Sequence, residues 1–367
     1  MADKTNREDK VPSWARRSAE ILNVFANHNF YVNGFTPYEL RTTLEDLGPT
    51  YVKIGQIMSS RTDMLPKSYC EELEKLRSSV APLDAETVRA VIEEETGQRI
   101  EDLYLEFHDE PLGSASIGQA HYGVLLDGTP VVTKVQRPLI ADMMRRDFVL
   151  LKKLAGMVGV MGEEDEAQGA VDLRAVVGEL EKVTEEELDF RVEAENTRTF
   201  RARCIEDDTV VSCPTIIDEL TTVRILTMTF VDGYSISHVD RIEADGYDRV
   251  EVGRALTENY LHQILDVGVF HGDPHQGNIM LSQGVPYWID FGMMGRIDER
   301  SMGVIQDLIF ALVMKDSEAL TNAALAIGKP RAHHGDCRLR RRVLMAATGG
   351  ARAVTCGVGG AYSVVLP

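Results

Sequence analysis

The stretch His271-Gly-Asp-Pro-His-Gln-Gly-Asn278 decides the fold of this chain, and Ile289-Asp-Phe-Gly292 follows shortly after it. Asp273 can position a nucleophile or take its proton, as the aspartate of a phosphoryl-transfer loop does. Asn278 and Asp290 offer hard oxygen ligands of the kind that Mg²⁺ prefers. The two segments therefore predict a site for ATP, or another nucleoside triphosphate, together with Mg²⁺.

A lysine upstream fits the same site. Lys134 lies inside Val131-Val-Thr-Lys-Val-Gln136, an apolar run rich in the β-branched residues of a strand. A lysine among such neighbours either extends its amine to the surface or pairs with an acid. We interpret Lys134 as the residue that neutralises phosphate oxygens. The alternative is a surface lysine on an edge strand.

The pattern changes from helical to strand-like and back along the chain. Thr36-Pro-Tyr-Glu39 reads as a capping box, Asp127-Gly128 as a hairpin turn and Asp232-Gly233 as a hinge. The predicted helices cover 51–61, 67–77, 85–96, 141–157, 173–203 and 247–267, and the predicted strands cover 104–108, 117–126, 131–136 and 209–231. The fold class is α+β, with a helical extension (1–100), a small antiparallel sheet with inserted helices (101–231), a helical lobe (232–330) and an atypical tail (331–367).

Four motif residues occur in the order of a two-lobed protein-kinase-like fold: Lys134, Asp273, Asn278 and Asp290. Three further segments are more specific: Leu47-Gly-Pro-Thr-Tyr-Val-Lys-Ile-Gly-Gln56, Pro111-Leu-Gly-Ser-Ala-Ser-Ile-Gly-Gln-Ala-His121 and Glu187-Leu-Asp-Phe-Arg-Val-Glu-Ala194. With these segments the chain resembles the UbiB family of atypical kinase-like proteins. The resemblance implies a role in the biosynthesis of quinones and other isoprenoid lipids.

The resemblance also implies roles for particular residues. In the family, the helical extension covers the place where a protein kinase receives its peptide substrate. Glu187 and Asp189 lie two apart on a helix, so at most one of them is expected to pair with Lys53. The site implied by the resemblance has Asp273, Lys134 and Glu193 as its catalytic set, Gly113, Ser114, Ala115, Ser116, Ile117, Met228, Phe230 and Val231 around the nucleotide, Asn278 and Asp290 on Mg²⁺, and Lys53, Gln56, Glu187 and Asp189 in the covering extension.

Three functions are compatible with these motifs. The first is a UbiB-like enzyme that binds MgATP and acts as an ATPase or phosphotransferase of the atypical kinase class. The second is a small-molecule phosphotransferase of the aminoglycoside or choline kinase type, which shares the His-Gly-Asp-x-His-x-Gly-Asn loop. The Lys-x-Gly-Gln segment argues against it. The third is a non-catalytic nucleotide-binding scaffold, against which the intact metal ligands argue.

Composition limits the partners. A net charge of −19 argues against a general nucleic-acid binder, which needs a basic surface. An acidic excess of this size is also typical of salt-adapted proteins, and an ordinary acidic protein is the alternative. No apolar run reaches the roughly 18 residues of a membrane span. Five scattered cysteines and the absence of a signal pattern predict a cytoplasmic protein.

Isoprenoid lipids or proteins of quinone synthesis are the expected partners, met by peripheral contact at a membrane. An amphipathic helix near the N-terminus is one candidate for this contact, although such apolar stripes more often belong to a core. Residues 331–367 depart from the family pattern, and we expect them not to be family sequence. A genuine disordered or membrane-touching tail is the alternative. The candidate lipid-facing residues of the helix are Trp14, Ile21, Leu22, Phe25 and Phe30.

Overall fold

The computed structural model describes residues 14–28, 36–62, 64–77, 81–161, 172–207 and 209–327. The chain divides into two compact units. The first comprises Met1–Asp207, Cys213–Asp232 and Ile289–Gly292, and the second comprises Asp208–Ser212, Gly233–Trp288 and Met293–Pro367. Phe30 and the tail at 331–367 lie outside the described residues.

The first unit opens with a helical extension. Its helices are α1 (Trp14–Asn27), α2 (Pro37–Leu47), α3 (Pro49–Ser59), α4 (Lys67–Leu73) with a 3₁₀ turn at Glu74–Arg77, and α5 (Ala85–Thr96). The capping box is present at α2, where the side chains of Thr36 and Glu39 each accept the other's backbone N–H. Gly48, at φ +97°, separates α2 from α3 in a backbone conformation that favours glycine.

A five-stranded antiparallel sheet follows the extension. Its strands are β1 (Tyr104–Phe107), β2 (Gly113–Ser114), β3 (Gly118–Leu125), β4 (Pro130–Gln136) and β5 (Ile225–Thr229). They pair in the order β1-β3-β4-β5, and β2 pairs with β3. The sheet is accompanied by α6 (Ile140–Met161), α7 (Leu173–Glu187) and α8 (Phe190–Glu206). The architecture is α+β with small antiparallel sheets, as the sequence predicted.

The expected lengths of two elements were wrong. The helix predicted over 173–203 is broken between α7 and α8, because Asp189 adopts extended backbone angles and its side chain caps α8 by accepting the N–H of Arg191. The strand predicted over 209–231 is confined to β5, since a 3₁₀ turn at Asp218–Leu220 interrupts the segment before it. Asp189 lies within a polar run, so the sequence did not indicate that it caps a helix.

One face of the sheet carries two neutral groups of hydrogen-bonded side chains. The hydroxyl of Thr133 in β4 shares hydrogen bonds with Tyr104 (2.9 Å) and Thr227 (3.2 Å). His121 in β3 donates from Nδ1 to the carbonyl of His108, and its Nε2 accepts from the amide of Gln119, both at 2.8 Å. All of these hydrogen-bonding side chains are buried, and burial lowers the pKa of His121, so the ring is neutral in the fold.

The second unit holds the remaining elements. Its helices are α9 (Val239–Ala244), α10 (Arg249–His262) with a π-helical turn at Gln263–Val267, α11 (Glu299–Val313) and α12 (Ser317–Ile327). Its short strands are β6 (Tyr234–Ser235), β7 (Val269–His271), β8 (Ile279–Ser282), β9 (Val285–Trp288) and β10 (Met294–Arg296). They form a three-stranded sheet in the order β6-β8-β9 and a β7–β10 pair.

The apolar face expected on α1 belongs mostly to the core. Ile21 is buried, and Phe25 packs in the same cluster with Leu47 and Tyr51. Leu22 is exposed. None of the described helices is both long and apolar enough to cross a membrane.

Candidate active site

Strand alternation directs Lys134 toward α8. Successive side chains of a strand point to opposite faces of the sheet. Val131 and Val135 of β4 pack with Ile92 of α5 on one face. Val132 packs on the other face, against the cluster that contains the buried residues of α8. Lys134 follows Val132 by two positions and therefore projects toward α8.

Lys134 lies between two carboxylates. Its Nζ is 2.5 Å from Oε1 of Glu193, in the first turn of α8, and 3.3 Å from Oδ2 of Asp290. Glu193 is buried and also accepts the N–H of Phe291 at 3.4 Å. Asp290 Oδ1 accepts the N–H of Gly292 at 3.0 Å. The short segment around Asp290 is thus fixed against β4 and α8.

Burial and neighbouring charges shift the pKa values of Glu193 and Lys134. Burial raises the pKa of Glu193 to about 7, against the attraction of Lys134 and with the repulsion of Asp290. Burial alone would lower the pKa of Lys134, but the charges of Asp290 and Glu193 outweigh it and raise that pKa above its ordinary value. Lys134 is therefore charged at neutral pH, where Glu193 titrates.

A second ion pair joins the helical extension to the end of α7. Lys53 of α3 pairs with Oε2 of Glu187, and both side chains are largely buried. The other oxygen, Oε1, has no hydrogen-bond partner among the described residues. Burial raises the pKa of Glu187, an effect that Lys53 opposes and Asp290 reinforces. Asp189 instead pairs with Arg191 at 2.7 Å, so of the two acids it is Glu187 that meets Lys53.

Gln56 connects α3 to the loop before β3. Its Nε2 donates to the carbonyl of Leu76 at 2.9 Å, and its Oε1 accepts from Ser116 Oγ at 3.5 Å. Gly55 allows this close packing, since a Cβ there would lie 2.4 Å from Leu76 Cδ1 and 2.8 Å from Leu44 Cδ1. The Lys-x-Gly-Gln segment therefore combines one position for close packing with two for polar contacts.

The loop before β3 contains two unused backbone donors. Gly113–Ser114 pairs with β3, and the N–H of Ala115 donates to the carbonyl of Gly118 at 2.8 Å. The N–H groups of Ser116 and Ile117 have no hydrogen-bond partner within the described part of the chain. Free amide donors in a turn are suited to the oxygens of a phosphate.

Arg137 belongs to this loop although the sequence pattern did not single it out. Its Nε donates to the carbonyl of Ala115 at 3.0 Å, and its Nη2 donates to Ser114 Oγ and to the carbonyl of Ala81, both at 2.8 Å. Its backbone N–H donates to the carbonyl of Ile117 at 2.8 Å. The one signal in the sequence was an arginine placed directly after the strand that carries the lysine.

In the segment expected to meet the adenine, most backbone N–H groups already have acceptors within the protein. Met228 is buried within a core cluster. The N–H groups of Thr229 and Phe230 each donate to a carbonyl of a neighbouring segment at 2.9 Å. The N–H of Val231 has no hydrogen-bond partner among the residues that the structure describes, so Val231 is the donor left for a ligand.

In the second unit, the loop between β7 and β8 is held by its own side chains. Nδ1 of the buried His271 accepts the N–H of Asp273 at 3.2 Å, and Asn278 Nδ2 donates to the carbonyl of Asp273 at 3.1 Å. His275 Nδ1 accepts the N–H of Gly277 at 2.9 Å, and its Nε2 lies 3.4 Å from Asp273 Oδ2. The carboxylate of Asp273 is thus presented from an ordered turn.

Asp290, in the first unit, and Asn278, in the second, each carry an oxygen that could serve as a ligand of Mg²⁺. Their carboxylate and amide oxygens are hard ligands. Nowhere in the described ranges do three His, Cys, Asp or Glu side chains form a group able to hold a metal. Mg²⁺ usually keeps several waters and takes one or two carboxylates plus substrate phosphates. The carboxylate of Asp290 alone therefore supplies a ligand type that suits a Mg²⁺ ion bound to nucleotide phosphates.

The ABC1 atypical kinase-like domain matches residues 75–324 of the chain. An uncharacterized protein in the hydrogenase 1 5′ region of Clostridium pasteurianum is 36% identical over 320 residues, which cover 85% of this chain and 59% of that protein. ACTIVITY OF BC1 COMPLEX KINASE 8, a chloroplastic protein of Arabidopsis thaliana, is 36% identical over 293 residues, which cover 79% of this chain and 38% of that protein. The chain spans less than two thirds of the length of these relatives.

A solved structure extends the likeness to the fold. The complex of Rv3197 with erythromycin from Mycobacterium tuberculosis has 27% sequence identity and a TM-score of 0.58, covering 97% of this chain and 90% of that one. The domain match, the relatives and the arrangement of Lys134, Glu193 and Asp290 agree. The chain therefore belongs to the ABC1 atypical kinase-like family, the ABC1/UbiB family.

Proposed function

We propose that this protein binds MgATP and hydrolyses it slowly, supporting the biosynthesis of quinones or other isoprenoid lipids. The observation that carries the proposal is the placement of Lys134 Nζ between Glu193 and Asp290. A lysine held by two carboxylates presents a fixed positive charge, which is what nucleotide phosphates require for positioning. The N–H groups of Ser116 and Ile117, which have no acceptor in the described ranges, supply further donors for phosphate oxygens.

Each residue has a defined task in this proposal. In the first unit, Lys134 binds phosphate oxygens, Glu193 keeps the lysine in place and Asp290 would be a ligand of Mg²⁺. The family motif assigns the same ligand role to Asn278 of the second unit. When bound, Mg²⁺ neutralises charge on the phosphates. Asp273 orients the attacking water and receives its proton. The water oxygen forms a bond to the γ-phosphorus while the bond to the bridging oxygen of ADP breaks.

Water is a better acceptor here than a protein hydroxyl. The Lys53–Glu187 pair and the Gln56–Ser116 contact tie α3 to α7 and to the loop beside Lys134. A protein hydroxyl must come within roughly 3–3.5 Å of the reacting phosphorus for transfer. The extension, held by these contacts, excludes a bulky substrate, while water and slim acceptors still enter.

The proposal is tested by measuring ATP hydrolysis and protein phosphorylation side by side with radiolabelled ATP. The wild type should release phosphate without labelling generic protein substrates. Lys53→Ala should raise labelling, including autophosphorylation, because the extension is loosened. Lys152→Ala is a matched control, since Lys152 also pairs with a glutamate of α7, Glu181, but outside the site. Strong labelling of protein substrates by the wild type would contradict the proposal.

Lipid dependence is a separate part of the proposal. Hydrolysis is measured with vesicles of neutral phospholipid alone and with the same vesicles containing an isoprenoid quinone. A quinone-dependent increase supports the role in isoprenoid-lipid metabolism and the peripheral contact with membranes. Equal rates with both vesicles, together with no flotation of the protein on either, would contradict both.

A further inference from the structure

We propose that Arg137 is a positioning residue that aims the backbone N–H of Ser116 at the phosphates of the nucleotide. The inference rests on the proposed function, because it assigns the phosphate-binding loop of the same site. Lys134 supplies charge there, whereas Arg137 sets the direction of a neutral donor. Arg137 does not itself need to touch the nucleotide.

The peptide plane between residues 115 and 116 determines the direction of the Ser116 N–H. A trans peptide is planar, and its C=O and N–H point in opposite directions. The guanidinium of Arg137 holds the carbonyl of Ala115 at 3.0 Å. The N–H of Ser116 therefore points away from Arg137, and it has no partner within the described part of the chain. Loss of the guanidinium would allow this peptide to rotate.

Arg137 forms further hydrogen bonds with the loop and with the segment before α5. Its Nη2 donates to Ser114 Oγ at 2.8 Å, and its backbone N–H fixes the carbonyl of Ile117 at 2.8 Å. The same Nη2 donates to the carbonyl of Ala81, so the loop is tied to the segment that leads into α5. The fork geometry of a guanidinium allows these bonds in one plane, which a lysine amine cannot reproduce.

The side-chain acceptors of Arg137 are all neutral. Across the described ranges, no carboxylate forms an ion pair with it, and its three side-chain acceptors are two carbonyls and a hydroxyl. Burial lowers its pKa, with no acid nearby to offset the effect. Since removal of Arg137 leaves no buried acid unpaired, its effect on the loop can be measured separately from an effect on charge balance.

The first test uses the full chain without nucleotide. Hydrogen exchange is measured for peptides covering 112–118 in the wild type, Arg137→Gln, Arg137→Lys and the control Arg99→Gln. Arg99 is an exposed arginine paired with Glu101. We expect exchange at the loop to rise about tenfold in Arg137→Gln, less in Arg137→Lys and not at all in the control, as the loss of hydrogen bonds from a charged donor implies. Unchanged exchange in both Arg137 variants would overturn the inference.

The second test separates KM from kcat. With MgATP, Arg137→Gln should raise KM about tenfold and change kcat less than about threefold, because a ground-state phosphate contact is lost. Added guanidinium at millimolar concentration should lower the KM of Arg137→Ala but not that of the wild type. A fall in kcat at unchanged KM, or no rescue, would contradict the positioning role. If the wild type itself binds no MgATP, the proposed function fails, whereas the exchange experiment still decides whether Arg137 orders the loop.

Discussion

The two faces of the five-stranded sheet contain different kinds of buried polar groups. On the first face, His121 of β3, Thr133 of β4 and Thr227 of β5 are paired across neighbouring strands. On the second face, β4 carries Lys134. The first face is neutral: hydrogen bonds join Tyr104, Thr133 and Thr227 in one group, and Gln119, His121 and the carbonyl of His108 in another. On the second face, Lys134 pairs with Glu193 and Asp290. Glu187 interacts electrostatically with Lys134 and Asp290, and its Oε1 has no hydrogen-bond partner among the residues that the structure describes.

The difference separates hydrogen-bonded groups that support the fold from the charged groups that we propose bind the nucleotide. A buried polar group that is fully hydrogen-bonded rigidifies a core. A buried charged group with free donors and acceptors lowers the stability of the protein and persists where a ligand completes it. Thr133 and Lys134 are neighbours in sequence, so substitutions at these two positions probe the two faces with little change in location.

The largest effect is expected at Lys134. Lys134→Met keeps the length of the side chain and removes its charge, so ATP hydrolysis should fall by about 100-fold or more, as for loss of one electrostatic contact to the reacting group. Steady-state phosphate release measures this. Thr133→Val, on the opposite face, should leave the rate within about twofold. A comparable fall in both variants would show that the two faces are not functionally distinct.

The second-largest effect is expected on the stability of the protein, from a substitution on the neutral face of the sheet. His121→Asn removes a buried ring that donates to His108 and accepts from Gln119, so the free energy of unfolding should fall by about 2–3 kcal/mol. Denaturant unfolding measures it. The rate of ATP hydrolysis per folded molecule should be unchanged. A variant that is fully stable but inactive would reverse the assignment of this face.

A smaller effect is expected from pH at the charged face. The pKa of Glu193 is raised to about 7 by burial, so the carboxylate is neutral below this pH and pairs with Lys134 as an anion above it. The kcat/KM for MgATP reports groups of the free enzyme and should rise about tenfold from pH 6 to pH 8. In Glu193→Gln this rise should disappear. A wild-type profile that stays flat between these pH values would argue against Glu193 as the titrating partner.

The sequence predicted those parts of the molecule that depend on local pattern. The capping box at Thr36, the end of α5 at Gly97 and the alternation around Lys134 follow from residue type and period. The break between α7 and α8 did not, because Asp189 as a cap and Asp189 as an interior acid look alike in a polar run. Only the tertiary arrangement distinguishes them.

The candidate site divides in the same way. The motif order indicated Lys134 and Asp290, and the family resemblance, rather than the spacing, distinguished Glu193 from Glu195. The contact of Lys134 with Asp290 joins residues far apart in the chain, so no local pattern encodes it. Arg137 was missed because its partners are backbone carbonyls and a hydroxyl, which leave no complementary charge in the sequence.

The most direct test of the central claim is a calorimetric titration of the full chain with MgATP, using Lys134→Met and Thr133→Val as the matched pair. We expect the wild type and Thr133→Val to bind MgATP with the same affinity within about twofold. Lys134→Met should lose at least about tenfold, because a charged hydrogen-bonding partner of the phosphates is removed. Equal binding by Lys134→Met and the wild type, or no binding by the wild type, would contradict the claim that the charged face of this sheet is a nucleotide site.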